Sequence, residues 1–115
     1  MAKSVDSVLA GIPFFDDDVV AADVLVQTGD TILLGYDIHN VSGADAFLQC
    51  FNAAAVANVT VGTTTPDYVI SAAANAVVQG SFPRGIAFPL GLVIASTTAT
   101  GGSSGAVQDV SLVYG

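Results

Sequence analysis

The sequence predicts an all-β protein: a jelly-roll-like sandwich of two sheets, with about eight short strands and an N-terminal arm. From Val19 onward apolar and polar residues alternate with a period of two, which is typical of half-buried strands. Turn residues recur at short intervals, and no long amphipathic helical pattern competes with the strands. The chain has 115 residues, which fits one domain. We divide it into an arm, residues 1–20, and a jelly-roll-like body, residues 21–115.

The predicted arm has a pattern of its own. Apolar residues between Val5 and Ile12 have partly helical spacing, and Pro13 then interrupts regular structure. Phe14 and Phe15 follow, directly before three consecutive aspartates. We expect an arm with room for one helical turn, rather than a strand of the main sheet. Two adjacent aromatic residues in such an arm indicate an anchor that packs on another surface.

The body begins with a strand at residues 24–27, and its longest alternating run extends from Ile32 to Val41. This run predicts a half-buried strand in which every second residue shares a face. The predicted faces are Ile32, Leu34, Tyr36 and Ile38 on one side, and Leu33, Gly35, Asp37 and His39 on the other.

Further strands are predicted where β-branched and aromatic runs are bounded by turn residues. They lie at residues 46–52, 59–61, 68–73, 76–82, 91–98 and 107–114. Residues 53–58 are interpreted as a loop or one helical turn, because their alanines favour a helix that the following β-branched residues oppose. Residues 85–92 combine apolar side chains with glycine and proline, which suits a sheet edge or a bend.

The composition indicates association with other protein chains. Hydrophobic residues make up 52% of the chain and charged residues only 10%, whereas ordinary soluble domains carry about 25% charged residues. A monomer of this composition exposes apolar patches. Its excess apolar surface therefore belongs in a subunit interface or a membrane.

Two classes of partner are excluded at this stage. Polar residues interrupt every apolar stretch well before the roughly 20 residues that a spanning helix needs, so we expect no membrane insertion. No apolar core of signal-peptide length follows Lys3, so we expect synthesis in the cytoplasm without a cleaved signal. All ten acidic residues are Asp, and the net charge of -8 repels nucleic acid.

The residues that carry chemistry do not form a recognisable catalytic or metal-binding pattern. His39 and Cys50 are the only residues of their types, and neither belongs to a nucleophile motif. We expect Cys50 to be a buried small hydrophobe, and His39 a half-exposed strand residue. The run Asp16-Asp17-Asp18 lacks the alternating form of a calcium loop and is interpreted as a solvated turn. We therefore predict no enzymatic activity, no cofactor and no metal; a metal held by three copies on a symmetry axis remains a minor alternative.

Several segments in order resemble small tailed-bacteriophage virion proteins with a jelly-roll body. The segments are Phe47-Leu48-Gln49-Cys50-Phe51-Asn52, Val61-Gly62-Thr63-Thr64-Thr65-Pro66, Gly85-Ile86-Ala87-Phe88 and Gly91-Leu92-Val93-Ile94-Ala95. The resemblance covers roughly residues 32–114, and some members of the group are capsid decoration, or cement, proteins.

The resemblance implies a structural protein on the exterior of the virion, present in the host cytoplasm before assembly. Such proteins are often homotrimers that bridge neighbouring major capsid proteins and stabilise the shell. We expect capsid docking through Phe14, Phe15, Asp16, Asp17 and Asp18. The expected subunit-interface residues are Arg84, Ile86, Phe88 and Leu90, with the lone Arg84 pairing with an aspartate of its own chain or of a neighbour.

One alternative function uses the same body. A trimeric receptor-binding module on a tail or spike would bind cell-surface glycans, since jelly rolls also serve as lectin scaffolds. The lack of Trp and the wide separation of the three Tyr weaken that reading without removing it.

Overall fold

A computed structural model describes residues 11–115, and predictions for residues 1–10 lie outside that range. The described chain is nearly all β, with one short 3₁₀ turn at Val56–Asn58. The strands are β1 (Ile12–Val19), β2 (Val24–Thr28), β3 (Thr31–Asn40), β4 (Ala46–Asn52), β5 (Tyr68–Ala72), β6 (Val77–Phe88), β7 (Gly91–Thr97) and β8 (Gln108–Tyr114).

The strands form two antiparallel four-stranded sheets. Sheet 1 has the order β1-β8-β3-β6, and sheet 2 has the order β2-β7-β4-β5. The chain crosses between the sheets at most of its connections, and only β4 and β5 are successive strands within one sheet. This connectivity confirms the predicted jelly-roll-like sandwich. The core between the sheets contains Val19, Leu33, Ile38, Leu48, Cys50, Ile70, Phe88, Leu92, Ile94, Val110 and Leu112.

The predicted arm is corrected over residues 12–19, which form strand β1. This segment pairs with β8 from Ile12 opposite Tyr114 to Asp16 opposite Val110. Phe14 lies opposite Leu112 and packs against the core. Pro13 does not prevent the pairing, because β1 is an edge strand, where a missing N–H need not break the ladder.

The predicted faces of β3 are right in its second half and wrong in its first half. The register shifts between Leu33 and Gly35 against both neighbouring strands, so Leu34 is an extra residue in a bulge. A one-residue insertion reverses the side to which side chains point. Leu33 is therefore buried and Ile32 is exposed, while Asp37 and Ile38 lie on opposite faces as predicted, with Ile38 buried and Asp37 exposed.

The predicted strand at residues 59–61 is wrong, because these residues belong to the loop between β4 and β5. Val59 is buried in a second apolar cluster, formed with Phe51, Ala53, Val93 and Ala95. The backbone turns instead of pairing, since the N–H groups of Thr63 and Thr64 both donate to the carbonyl of Thr60. The β-branched side chains thus serve packing rather than strand pairing.

A buried asparagine fastens two turns to one another at one end of the sandwich. The Asn40 amide nitrogen donates to the carbonyls of Ala44, Ala72 and Ala73, at 2.8, 3.1 and 3.0 Å. Its side-chain oxygen accepts from the backbone N–H and the hydroxyl of Ser42. Both the nitrogen and the oxygen of this buried amide are therefore hydrogen-bonded, as is usual for buried polar groups.

Strand β6 is longer than predicted and contains a wide bulge. Ser81 lies opposite Gly35 and Ile86 lies opposite Leu33, so the four residues 82–85 bulge from the ladder. Gly85 has φ +71° and lies directly against the side chain of Ile32, a position that admits no larger residue without displacement. The predicted bend at residues 85–92 is thus the end of β6 followed by the turn into β7.

Candidate functional site

The outer faces of the two sheets differ in how they are covered. The outer face of sheet 2 carries the second cluster and lies beneath loops. All residues of β7 are therefore buried, including those that point outward. Gln49 on that face donates to the Thr97 hydroxyl at 2.7 Å and to the Gly102 carbonyl at 3.1 Å, which holds the loop after β7 against the sheet. Among the described residues, no loop covers the outer face of sheet 1 in this way. We call this surface the open face.

The register of sheet 1 assigns the residues of the open face to rows, because directly opposed residues share a face. Three rows cross the strands in the order β1, β8, β3 and β6. They are Pro13-Val113-Gly35-Ser81, Phe15-Ser111-Asp37-Gln79, and a shorter row of Asp109-His39-Val77.

A shallow concavity of about 430 Å³ lies in the middle of the open face. Gly35 has no side chain, so the sheet backbone forms its floor at this point. Asp37 contributes a carboxylate, Ser81 and Ser111 contribute hydroxyls, and Leu34 and Val113 form an apolar wall; the remaining lining residues are Tyr36 and Gly80. The concavity thus combines a single negative charge with apolar surface.

Large apolar side chains are exposed around the concavity. Phe15 is 65% exposed and Val77 is 56% exposed, and both lie on the open face. Ile32 is exposed at the end of the sheet where β3 bulges. The open face therefore exposes large apolar side chains on β1, β3 and β6, which a protein partner could bury.

The two residues of the predicted aromatic anchor point in opposite directions. Phe15 is exposed on the open face, whereas Phe14 packs against the core of its own sandwich, so Phe14 is corrected as a free docking residue. The reason is the period of two in β1, which sends adjacent side chains to opposite faces. Removal of β1 would therefore take Phe14 and Val19 from the core, so a point substitution at Phe15 is the cleaner probe of docking.

The aspartate run lies at a bulge near the end of β1, and its residues do not form one surface. The register shifts between Asp16 and Val19, and the Asp18 N–H donates to the Asp16 carboxylate at 2.9 Å. Asp17 and Asp18 are exposed, while Asp16 is half-buried opposite Val110. Asp16 therefore supports the local backbone, and Asp17 and Asp18 remain available to a partner.

The predicted subunit-interface residues also divide. Phe88 is fully buried in the core of its own chain, so its prediction as an interface residue is corrected. Ile86 is half-buried against the same core. Leu90, 57% exposed, and Arg84, in the bulge of β6, remain on the surface.

Cys50 and His39 lie in different layers of the molecule. Cys50 is fully buried in the core, which confirms its predicted role as a buried small residue. His39 is exposed on the open face, opposite Asp109 and Val77. The two residues therefore do not form a nucleophile–base pair.

The buried Cys50 gives a direct prediction on thiol chemistry. Burial, with a smaller effect from the charge of Asp67, raises the pKa of the thiol from 9.0 to about 12. We expect native protein at pH 8 to react with a thiol-specific disulfide reagent at least about 100-fold more slowly than protein in denaturant, because both thiolate and access are lacking. Comparable rates in the two states would contradict the buried position.

The same shift predicts a loss of stability in alkaline solution. The unfolded thiol ionises above about pH 8.5 to 9 while the buried thiol stays protonated, so the free energy of unfolding falls as the pH rises from there towards 12. Urea unfolding at a series of pH values measures this fall. A Cys50→Ala variant has no thiol, so its free energy of unfolding should fall less steeply with pH. The difference between the two proteins isolates the contribution of Cys50 from that of other ionising groups.

Phe14 and Phe15 offer a matched pair of substitutions. Phe15→Ala is expected to change the free energy of unfolding by less than about 0.5 kcal/mol, because its ring is mostly in solvent. Phe14→Ala should cost about 2 kcal/mol, because its ring packs against the core. Urea unfolding compares the two, and equal losses would contradict the assignment of β1 faces.

Several residues of the concavity were not singled out from the sequence. Ser81, Ser111 and Val113 come from two different strands that become neighbours of β3 only through the sheet order. The sequence did place Gly35 and Asp37 on one face of β3. No local pattern in residues 81 or 111–113 marks them as partners of that face.

Comparisons with known proteins supply no family. No protein-family model matches the chain, and no curated protein matches it. Within residues 11–115, no group of three or more His, Cys, Asp or Glu side chains is placed to hold a metal ion. No helix in this part of the chain is long and apolar enough to cross a membrane.

Proposed function

We propose that this chain is a non-enzymatic structural protein of a tailed-phage virion, a capsid decoration protein. It binds the outer surface of the head as a homotrimer and bridges neighbouring major capsid proteins, which stabilises the shell. The resemblance of residues 32–114 motivates the virion assignment, and the open face is the observation that carries the proposal.

The open face supports this role because some of the most exposed large apolar side chains of the described residues lie on it. Sheet 2 has loops over its outer side, where Leu25 and Val56, 39% and 40% exposed, are the large apolar side chains that remain partly in solvent. Sheet 1 leaves Phe15, Val77 and Ile32 exposed. A monomer gains nothing from these side chains in water, whereas a protein partner would bury them.

The construction of the sandwich also suits a part that bears mechanical load. Long-range strand pairing dominates the described fold, and the second cluster adds a further apolar layer outside sheet 2. Asn40 fastens the turns at one end. A decoration protein resists the pressure of packaged DNA through such rigid structure and requires no catalytic group.

Binding to empty shells tests the proposal. Shells assembled from the major capsid protein of the same phage are mixed with purified protein and sedimented. We expect saturable co-sedimentation and a raised thermal transition of the shell. Phe15→Ala should weaken binding about tenfold or more, since buried aromatic residues dominate interface energy. Thr100→Ala, in the exposed loop after β7, serves as a control and should bind normally.

Two outcomes of this assay would count against the capsid role. Protein that stays in the supernatant at every concentration contradicts shell binding itself. Shells that bind the protein but gain no thermal stability contradict the bridging role.

A glycan-binding module on a tail or spike is the second candidate. The concavity favours it, because the Asp37 carboxylate and the hydroxyls of Ser81 and Ser111 are groups that hydrogen-bond to sugars. A glycan array with purified protein discriminates between the two roles. Specific glycan binding that Asp37→Asn abolishes, without shell binding, would replace the capsid proposal.

A further inference from the structure

We propose that a second copy of this chain places its Arg84 in the concavity of the open face, beside Asp37. The contact would make the partner copy a structural part of the site. The inference rests on the self-association in the proposed function and adds the residues that carry it. It does not depend on what the assembled protein binds.

The concavity has the chemistry that an arginine side chain requires. Asp37 is the carboxylate that lines it; of the two serines that line it, Ser111 lies opposite Asp37 and Ser81 lies opposite Gly35 in the sheet register. A guanidinium group has five N–H donors in one plane, which a carboxylate and two hydroxyl oxygens can accept together. The aliphatic stem of an arginine packs on apolar surface, and Leu34 and Val113 provide it.

Asp37 also retains capacity for a strong partner. The amide of Gln79 donates to its carboxylate at 3.4 Å, which is a long hydrogen bond that leaves most of the acceptor sites free. A cation that enters the concavity therefore need not displace an established ion pair, since within residues 11–115 Asp37 forms none.

Arg84 has the complementary position on the surface. It is the only arginine of the chain, it is exposed, and it forms no ion pair with any residue in the described part of the molecule. The bulge of β6 lifts it out of the ladder. Pro83 restricts the backbone on one side of it, and Gly85, with φ +71°, makes the turn on the other side.

Apolar groups surround both halves of the contact. Ile32 lies against Gly85, next to Arg84, and Leu34 borders the concavity. When two copies meet, these side chains would exclude water around the charged pair and strengthen it. The pair in turn offsets part of the electrostatic repulsion between two chains that each carry a net charge of -8. Salt at physiological strength screens this repulsion between charges more than about 8 Å apart.

Each copy carries one Arg84 and one concavity on the same sheet, so each gives one contact and receives one. Contacts of this kind close into a ring where the rotation between copies permits it, and two copies that exchange them form a twofold dimer. A homotrimer would hold three such contacts in one closed assembly, with none left open.

Opposite charge reversals test the contact directly. Asp37→Arg and Arg84→Asp are prepared as separate variants, and their masses are measured by sedimentation over a range of concentrations. We expect the wild-type protein to be an oligomer. The dissociation constant of each variant oligomer should be about tenfold or more higher than that of the wild type. Asp30→Arg changes the charge equally in the exposed turn before β3 and should assemble normally.

Mixing the two variants separates a contact between copies from one within a copy. Arg84 of the Asp37→Arg chain can enter the unaltered concavity of the Arg84→Asp chain. Mixed chains should therefore associate where neither variant associates alone, although a ring of three mixed chains keeps one repulsive contact between like variants. The double variant reverses every contact and should form the whole oligomer by itself. Circular dichroism and urea unfolding establish that each variant is folded.

Several results overturn the inference. These are a monomeric wild-type protein, variants that assemble as well as the wild type, or variants that stay apart after mixing. Shell binding, measured on the same samples, is a separate readout. Oligomers that respond as expected but bind no shell contradict the capsid role alone, whereas shell binding with unaffected variants contradicts the Arg84 contact alone.

Discussion

Gly91→Ala is expected to destabilise the fold by about 3 kcal/mol or more. Gly91 has φ +144°, a region that L-amino acids rarely adopt, and strain of this kind costs about 1–3 kcal/mol. A methyl group at this position would also lie 2.5 Å from the Ala53 carbonyl oxygen and 2.7 Å from that of Gln27. Both obstacles are backbone atoms of neighbouring segments, so the clash cannot be relieved by rotation of a side chain.

Urea unfolding of Gly91→Ala measures the loss, and Gly43→Ala is its control. Gly43 has an ordinary φ, and a methyl group there meets no atom within 4 Å. The control should change the free energy of unfolding by less than about 1 kcal/mol. A Gly91→Ala protein as stable as this control would show that the turn between β6 and β7 differs from the one described.

Phe51→Ala should cost about 3–5 kcal/mol, although Phe51 points away from the main core. Its ring is 1% exposed, because it lies in the second cluster under the loop between β4 and β5. Removal of the ring leaves a cavity that Val59 and Val93 cannot fill. The size of the loss therefore measures how firmly this loop is packed on sheet 2.

Phe47→Ala provides the matched comparison on the same strand. Phe47 and Phe51 are four residues apart in β4, so they share a face, but Phe47 is only half-buried. Its replacement should cost about 1–2 kcal/mol. Equal losses at the two positions would mean that the loop does not shield Phe51, and that the outer faces of the two sheets are equally open.

Local periodicity determined most of the strands correctly. Residues 46–52 match β4, and the predicted strands at 68–73 and 91–98 match β5 and β7 to within a residue. These segments alternate regularly or are rich in β-branched residues, so their own side chains specify extended structure. The burial of Cys50 followed from the same local pattern.

The errors occur where tertiary structure overrides the local pattern. The expected number of strands was right, but β1 takes the place of the predicted strand at residues 59–61. Pro13 argued against a strand at residues 12–19, because proline is poorly tolerated inside a sheet. It is tolerated in an edge strand, and only the sheet order shows that β1 is one. Val59 suggested a strand because a β-branched residue that packs under a loop has the same local signature as one that pairs.

The candidate site was only half accessible to sequence reasoning. Gly35 and Asp37 were assigned to one face of β3, and Phe15 and Arg84 were named as contact residues. The inward position of Phe88 shows the limit, because the bulge at residues 82–85 decides which side chains of β6 enter the core. A bulge depends on pairing with another strand and leaves little trace in its own residues.

The sequence by itself determined the all-β class, the short strands and a composition of 52% hydrophobic and 10% charged residues. Those properties follow from composition and from the period of two, which each segment carries locally. Only the tertiary structure decided which outer face stays open, because that depends on where the loops after β4 and β7 fold. It also assembled the concavity, since β8 and β6 meet β3 through pairings between residues distant in the chain.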